Sequence, residues 1–312
     1  MKKILILLLL SPLILFSQGI MGDKTEFSRQ DTLRGSITKE RSWWDLNRYH
    51  LDIIVKPEEK FISGSNKISY TVLKSHDLMQ IDLQTPLRLT KATQDNSELE
   101  IIHDGNAHFI KLKKKQNVGS KEEIVVYYEG NPRVAVRAPW DGGISWEKDK
   151  NGNDWVSINI QGEGGKMYYP CKDHPSDEPN EGADLKITIP SNLMVAGPGL
   201  LLGVTTKKNK STYHWKTNYT ISNYCILFNI GKYKVVKDEY TTVLGTKVPI
   251  EYYVLEEDTM HAKKVIETRK RDSKILEKYF GEYPWAKEKI GIAEVPNSGM
   301  EHQTMITFDN KF

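Results

Sequence analysis

Cysteine is scarce in this sequence, and the shortage limits how the fold can be stabilised. The 312 residues contain only two cysteines, Cys171 and Cys225. A small domain held together by several disulfides is therefore excluded, and a hydrophobic core has to supply the stability. One bridge between the two stays open, although Cys225 lies in an apolar run, where a free buried thiol is the commoner outcome.

An excess of one charge is also missing. The sequence has 44 basic and 41 acidic residues, which gives a formal net charge of +3, and both signs are scattered along the chain. A protein that follows a phosphate backbone needs a sustained basic stripe. The most concentrated basic run, Lys111 to Lys115, is too short for that. Nucleic acid is therefore not expected as a partner.

Long hydrophobic runs are absent beyond the N-terminus. Lys2 and Lys3 precede an apolar run from Ile4 to Phe16, and small or polar residues follow as far as Gly19. This order is typical of a secretory signal peptide. The run is shorter than the roughly 20 residues that span a bilayer. We therefore predict a signal peptide over residues 1–19 and a mature chain exported to the periplasm or the extracellular space, with no transmembrane anchor after cleavage.

Short β-strand patterns fill most of the remaining sequence. Residues 20–40 are polar and aperiodic, which is typical of a spacer. Turn residues such as Ser63-Gly64-Ser65 and Asp104-Gly105-Asn106 separate the segments that follow. Strands are predicted at residues 49–55, 67–72, 79–83, 108–112, 123–128, 155–160, 184–189, 212–216 and 225–230. Such regular spacing predicts an antiparallel β-sandwich over residues 41–236.

The hydrophobic period changes near Val254. Apolar residues then recur at helical spacing from Ala262 to Phe280, with Asp258 or Thr259 as the N-cap and Gly281 just beyond the end. A strand is predicted at residues 289–295. Residues 237–312 are therefore predicted to be the incomplete start of a second domain of the α/β type.

Two segments resemble metal sites but lack the necessary pattern. Residues 149–154 alternate oxygen ligands as a calcium loop does, yet Asp154 and Ile160 stand where that loop needs glycine and glutamate, so an Asn-Gly hairpin turn is predicted. Residues 173–178 include Asp173, His174, Asp177 and Glu178. Prolines interrupt any helical spacing in this second segment, and no metal site is predicted there.

A series of landmarks resembles one known family. The landmarks are, in order, Trp43-Trp44-Asp45, Gln161, Pro170-Cys171-Lys172-Asp173, Phe280-Gly281-Glu282-Tyr283-Pro284 and Gly299-Met300-Glu301. Their order and spacing resemble the aminopeptidase N and leukotriene hydrolase family of gluzincin zinc metallopeptidases. The resemblance covers nearly the whole mature chain. It implies a mainly β protein, with a saddle-like N-terminal β-domain followed by the beginning of a thermolysin-like catalytic domain.

The same resemblance implies a substrate-binding site. Glu301 matches the glutamate that receives the free α-amino group of the substrate, and Gly299 and Met300 match the strand backbone that flanks the peptide. Gln161 matches a glutamine that the β-domain contributes to the same pocket. Two residues depart from the usual motif: Ser298 replaces glycine, and His302, a possible auxiliary residue, replaces asparagine.

The zinc ligands of that family are not found in this sequence. None of the eight histidines is followed by glutamate and by a second histidine four positions later. We therefore expect a fragment of an exported metallo-aminopeptidase, inactive in isolation and without bound zinc. Its intact parent is expected to use zinc on peptides with a free N-terminus. A non-catalytic β-sandwich module that binds peptide or glycan, or a pseudoenzyme of the same family, stays open as an alternative.

Overall fold

The structure, a computed structural model, describes residues 26–309. The predicted signal peptide and the first residues of the predicted spacer lie outside that range. None of the helices in the described range is long and apolar enough to cross a membrane.

The first elements are two short helices, α1 (Arg29–Gly35) and α2 (Lys39–Ser42), within and just beyond the predicted spacer. Ser28 and Asp31 form a capping box that starts α1. The buried guanidinium of Arg41 donates to the carbonyl of Leu33 at 2.7 Å and to the carboxylate of Asp82 at 2.6 Å. Polar contacts of this kind have no periodic signature, so the sequence pattern did not show these helices.

The strands of the described range are, in chain order, β1 (Trp44–Lys56), β2 (Phe61–Val72), β3 (Leu78–Asp82), β4 (Arg88–Gln94), β5 (Ser97–Glu98), β6 (Glu100–Asp104), β7 (Ala107–Lys111), β8 (Lys121–Gly130), β9 (Gly143–Lys148), β10 (Asp154–Asn159), β11 (Ala183–Pro190), β12 (Met194–Ala196), β13 (Leu200–Lys207), β14 (Lys210–Lys216), β15 (Asn229–Gly231), β16 (Tyr233–Thr241), β17 (Lys247–Leu255), β18 (Ile290–Glu294) and β19 (Ile306–Phe308). One long helix, α3 (Ala262–Phe280), lies between β17 and β18.

These strands form four sheets, and the predicted mainly β fold is confirmed. The orders are β13-β14-β11-β1-β2-β8-β4-β5, β12-β15-β10-β9, β3-β7-β6 and β16-β17-β18-β19. The first sheet is antiparallel except for the parallel pair β1 and β11. In the last sheet, β17 and β18 are parallel and α3 connects them, as parallel neighbours require.

One predicted turn is in fact the middle of a strand. Ser63-Gly64-Ser65 lies inside β2, and Gly64 pairs with Ile53 of β1. A Cβ atom at Gly64 would stand 2.1 Å from the carbonyl oxygen of Asp52, so the glycine permits close approach of the two backbones. The chain turns earlier, in a 3-10 turn at Pro57–Glu59.

The start of the predicted strand at residues 225–230 is also different in the structure. Cys225 ends a 3-10 turn (Asn223–Cys225), and the strand begins only at Asn229. The following residues, Ile226 to Phe228, are buried at 0–2% exposure without belonging to a sheet. An apolar run alone does not distinguish a strand from a buried loop.

The buried apolar residues form two clusters. The larger lies among the first three sheets and contains residues such as Trp43, Tyr49 and Trp215. The smaller is built from the last sheet and α3, with Ile250, Ile266 and Ile292 among its members. β18 contributes residues to both clusters, and residues 297–302 follow it in the chain. Both clusters therefore fix the position from which this segment starts.

Candidate substrate-binding site

The segment 297–302 follows β18 and is fixed by hydrogen bonds to its own chain. Gly299 has φ +84°, and a Cβ there would stand 2.0 Å from the carbonyl oxygen of Thr307. The N–H of Met300 donates to that carbonyl at 3.0 Å, and the N–H of Thr307 donates back to Met300 at 2.9 Å. Glycine is required at this position because other residues are strained at this φ and would clash.

This pairing determines which backbone groups remain for a ligand. Because Met300 uses both its N–H and its carbonyl on Thr307, the groups of its neighbours point the other way. The N–H of Gly299 is taken by the side chain of Asn297 at 2.9 Å. Within residues 26–309, no hydrogen bond is made by the carbonyl of Gly299 or by the N–H of Glu301.

Asn297 connects this segment to the β-domain. Its side-chain amide donates to Oδ1 of Asn159 at 3.0 Å and to Oγ of Ser157 at 3.3 Å. Both acceptors lie in the last part of β10, two and four residues before Gln161. The fold thus brings the predicted site residues of the two units into adjacent segments. No hydrogen bond joins the side chains of Gln161 and Glu301 themselves in the part of the chain that the structure describes.

Glu301 is exposed, and its carboxylate has one protein partner. The hydroxyl of Tyr224 donates to Oε1 at 3.1 Å. No lysine or arginine between residues 26 and 309 forms an ion pair with Glu301. A carboxylate with one oxygen held by a neutral donor and the other free is able to accept a cationic ligand.

His302 is buried beside Glu301, and its imidazole makes no hydrogen bond within the described range. Its side chain is 1% exposed, and neither ring nitrogen has a hydrogen-bond partner. The ring lies 5.1 Å from the ring of Tyr224, centroid to centroid. Burial lowers the pKa of His302 to about 4, so the imidazole is neutral at physiological pH.

A cavity of about 630 Å³ adjoins these residues. Ile160 and Gly162, on either side of Gln161, line it, and so do Glu163, Glu178 and Tyr224. Glu301 does not line the cavity itself. Tyr224 is therefore the shared residue, with its ring at the cavity and its hydroxyl on Glu301.

The acidic segment after Cys171 is occupied by internal contacts. Asp173 pairs with Lys166 at 2.9 Å, and Asp177 pairs with Lys172. Across residues 26–309, no group of three or more histidine, cysteine, aspartate or glutamate side chains is placed to hold a metal ion. Both cysteines are free, and burial raises the pKa of the Cys225 thiol to about 11.

Tyr224 and Asn297 were not among the sequence-predicted site residues. Tyr224 lies in a segment with no matching motif, and its contact with Glu301 spans 77 positions of the chain. Asn297 is only two residues before Gly299, and its position in a Pro-Asn-Ser-Gly turn suggests nothing about Asn159. Both roles depend on tertiary contacts.

The fold has close counterparts among solved structures. The M1 zinc metallopeptidase of Deinococcus radiodurans matches with a TM-score of 0.68 at 19% identity, over 87% of this chain and 61% of that chain. A variant of that protein bound to the substrate Tyr-Ser-Ala gives a TM-score of 0.70 at 19% identity, with the same coverage. A variant of a two-domain M1 zinc metallopeptidase bound to L-arginine gives a TM-score of 0.70 at 19% identity, over 86% of this chain and 61% of that chain.

A protein that is similar in sequence is also a peptidase. Leucine aminopeptidase 2 of Candida glabrata is 24% identical over 272 residues, which is 82% of this chain and 38% of that protein. No protein-family model matches the chain. The resemblance predicted from the motifs is confirmed at the level of the fold, which is that of the M1 zinc metallopeptidases. The chain spans less than two thirds of the length of each of these proteins.

The described residues do not fit a zinc ion. Zinc in proteins is held by three or four converging histidine, cysteine or carboxylate side chains. Residues 26–309 contain no such group, and the sequence has no His-Glu-x-x-His motif. No step of chemistry at zinc is therefore derived from these residues.

Proposed function

We propose that this chain, which has the fold of the M1 zinc metallopeptidases, recognises the free N-terminus of a peptide substrate through Glu301. In this proposal the natural protein is an exported aminopeptidase. Its zinc ligands come from sequence outside these 312 residues, and residues 1–19 direct export. The 312 residues alone are expected to release no amino acid from a peptide.

The observation that supports the proposal is the state of the Glu301 carboxylate. It is exposed, lies on a backbone fixed at Gly299 and Met300, and has no cationic partner among residues 26–309. Its one hydrogen-bond donor among those residues is Tyr224, which also lines the cavity of about 630 Å³.

A peptide ammonium fits this arrangement. The charge-assisted bond between an ammonium and a carboxylate is about twice as strong as a neutral hydrogen bond. Because a peptide has an α-ammonium only at its first residue, a fixed carboxylate that binds this group also fixes the register of the peptide in the site. Proteins that bind substrates in this way act at chain ends, because binding supplies the orientation.

The backbone and Gln161 complete the proposed site. The free carbonyl of Gly299 and the free N–H of Glu301 can pair with the peptide backbone, in the manner of an added strand. Gln161 is half-buried next to the cavity wall and can offer its amide to the first residue of the peptide. We assign Met300 an indirect part, since its own backbone groups bond to Thr307.

The test is a pair of affinities measured on the intact natural protein, with its metal removed by a chelator so that the peptide is not cleaved. The two ligands are the tripeptide Tyr-Ser-Ala, which one structural neighbour binds, and its N-acetylated form. Titration calorimetry at constant salt gives the ratio of the two dissociation constants. We expect a strong preference for the free amine in the wild type. Glu301→Gln should reduce that preference by about 10-fold or more, since a hydrogen bond to a charged group contributes about 1.5–3 kcal/mol.

The matched control is Glu98→Gln, which neutralises another exposed carboxylate, on β5. It should leave the preference unchanged. Retention of the full preference in Glu301→Gln would show that the amine is bound elsewhere.

A further inference from the structure

Tyr224 contacts three consecutive residues of the proposed amine-binding segment. Its hydroxyl donates to Oε1 of Glu301 at 3.1 Å and lies 3.8 Å from Sδ of Met300. Its ring lies 5.1 Å from the ring of His302 at an interplanar angle of 45°. A single side chain from the β-domain thus touches the whole Met300-Glu301-His302 segment.

Tyr224 is itself held firmly. It lies in the 3-10 turn Asn223–Cys225, which Ser222 caps through its side chain. The side-chain amide of Asn223 donates to the carbonyl of Lys172 at 2.9 Å, and the residues after Cys225 are buried. A hydroxyl on such a fixed turn can hold the side chain that it bonds to in one orientation.

A second contact ties the same two segments together. The side-chain amide of Gln303 donates to the carbonyl of Thr220 at 3.2 Å. The segment that contains Thr220 and Tyr224 therefore contacts the segment that contains Glu301 and Gln303 at two points. The position of Tyr224 relative to Glu301 is fixed by more than the bond between them.

We infer that Tyr224 is a positioning residue, which orients the carboxylate of Glu301 so that Oε2 faces the peptide ammonium. This inference rests on the proposed function of Glu301. A glutamate side chain has three rotatable bonds, and an exposed glutamate samples many rotamers. Tying Oε1 to a fixed hydroxyl removes much of this freedom before the ligand binds, which lowers the entropic cost of binding.

The protonation state of Tyr224 is consistent with this role. Burial, and then the negative charge of Glu301, raise the pKa of the Tyr224 hydroxyl well above its ordinary value. The hydroxyl therefore keeps its proton throughout the physiological range. It acts on Glu301 only as a neutral donor and leaves the negative charge available for the ammonium.

The experiment compares Tyr224→Phe with the wild type in the same metal-free intact protein, with the free and N-acetylated forms of Tyr-Ser-Ala as probes. Phenylalanine keeps the ring against His302 and removes only the hydroxyl. The preference for the free amine should fall about 10-fold, at the lower end of what a hydrogen bond to a charged group is worth. The affinity for the acetylated peptide should stay within about 2-fold.

Tyr240→Phe is the matched control. The Tyr240 hydroxyl also donates to a glutamate, Glu277, at 2.7 Å, far from the proposed site. This variant removes the same kind of bond and should leave the preference unchanged. The double variant Tyr224→Phe with Glu301→Gln should lose no more preference than Glu301→Gln alone, because the two residues act on one interaction.

The outcomes separate the two proposals. If Glu301→Gln loses the preference and Tyr224→Phe keeps it, the positioning role is wrong while the amine-binding role of Glu301 stands. If neither variant changes the preference, both are wrong. Equal weakening of both peptides in Tyr224→Phe, with a lowered unfolding temperature, would show a purely structural role and would also overturn the inference.

Discussion

Lys289 shows how one buried residue can make stability depend on pH. Its side chain is 1% exposed, and Nζ donates to the carbonyls of Gly197 at 2.8 Å and Gly199 at 2.5 Å. Nζ also lies 3.9 Å from the centroid of the Trp215 ring. Burial lowers the pKa of Lys289 to about 7, since carbonyls and a ring replace water incompletely around the ammonium.

The lowered pKa of Lys289 predicts that its contribution to the free energy of unfolding rises from pH 7 towards pH 10. In that window the unfolded chain, with an ordinary lysine pKa, binds more protons than the folded chain, so the free energy of unfolding rises with pH. The contribution should be roughly 1 kcal/mol per pH unit. Urea unfolding at pH 7, 8 and 9 should give a slope that is more positive in the wild type than in Lys289→Met by this amount.

The control for this prediction is Lys121→Met, which changes an exposed lysine. It should keep the wild-type slope. Equal slopes in the wild type and Lys289→Met would contradict the account of Lys289.

Individual site residues could be predicted only where they belong to a motif. Glu301, Gly299 and Met300 were predicted in this way, and Gln161 came from the same resemblance. Tyr224 could not be predicted, because its contact with Glu301 depends on how a 3-10 turn of the β-domain packs against a distant segment. The unsatisfied ring of His302 is likewise a property of packing, which neighbours in sequence do not reveal.

At the scale of elements, α3 shows where periodicity succeeds and where it fails. The helix was predicted, and it ends at Phe280 as expected. It begins at Ala262, after a 3-10 turn at Glu256–His261, and so several residues later than the predicted cap. The C-terminal half does not bury its apolar residues: Phe280 is 81% exposed, while the buried residues there are the polar Ser273 and Glu277.

The burial of Glu277 has a physical reason. Its carboxylate accepts hydrogen bonds from the hydroxyl of Tyr240 at 2.7 Å and from the N–H groups of Val243 at 2.8 Å and Tyr283 at 2.9 Å. It thus joins α3 to the end of β16 and to the turn after the helix. A sequence pattern that equates burial with apolar residues overlooks a polar anchor of this kind.

We therefore expect substitution of Glu277 to lower the free energy of unfolding substantially. Glu277→Ala leaves three donors without an acceptor and should lower the free energy of unfolding by about 2–4 kcal/mol. Glu277→Gln, which keeps one acceptor oxygen, should cost less. The measurement is urea unfolding at constant pH, with Glu267→Ala on the exposed face of α3 as the control. An effect of Glu277→Ala no larger than that of the control would contradict this role.

At the scale of the whole molecule, the two hydrophobic clusters meet at the end of β18. The carbonyl of Glu294 accepts from the hydroxyl of Tyr233 at 2.8 Å and from the indole of Trp155 at 3.2 Å. Three residues later, Asn297 bonds to the end of β10. The proposed site thus lies where the β-domain and the last sheet share polar contacts.

The fold class followed from strand spacing, because alternation and turn residues are local signals. The order of strands in the sheets and the parallel pairing of β1 with β11 depend on contacts far apart in sequence, and no local pattern encodes them. The same distinction holds for the site. Its proposed chemistry comes from a short motif, whereas the contacts that assemble the site appear only in three dimensions.

The most direct test of the central claim is a crystal structure of the metal-free intact natural protein with bound Tyr-Ser-Ala. The account predicts that the α-nitrogen of the peptide lies within hydrogen-bonding distance of the Glu301 carboxylate, at about 2.7–3.2 Å. The Tyr224 hydroxyl should remain on Oε1. A peptide whose N-terminus lies away from Glu301, or whose carboxyl end occupies this position, would contradict the assignment.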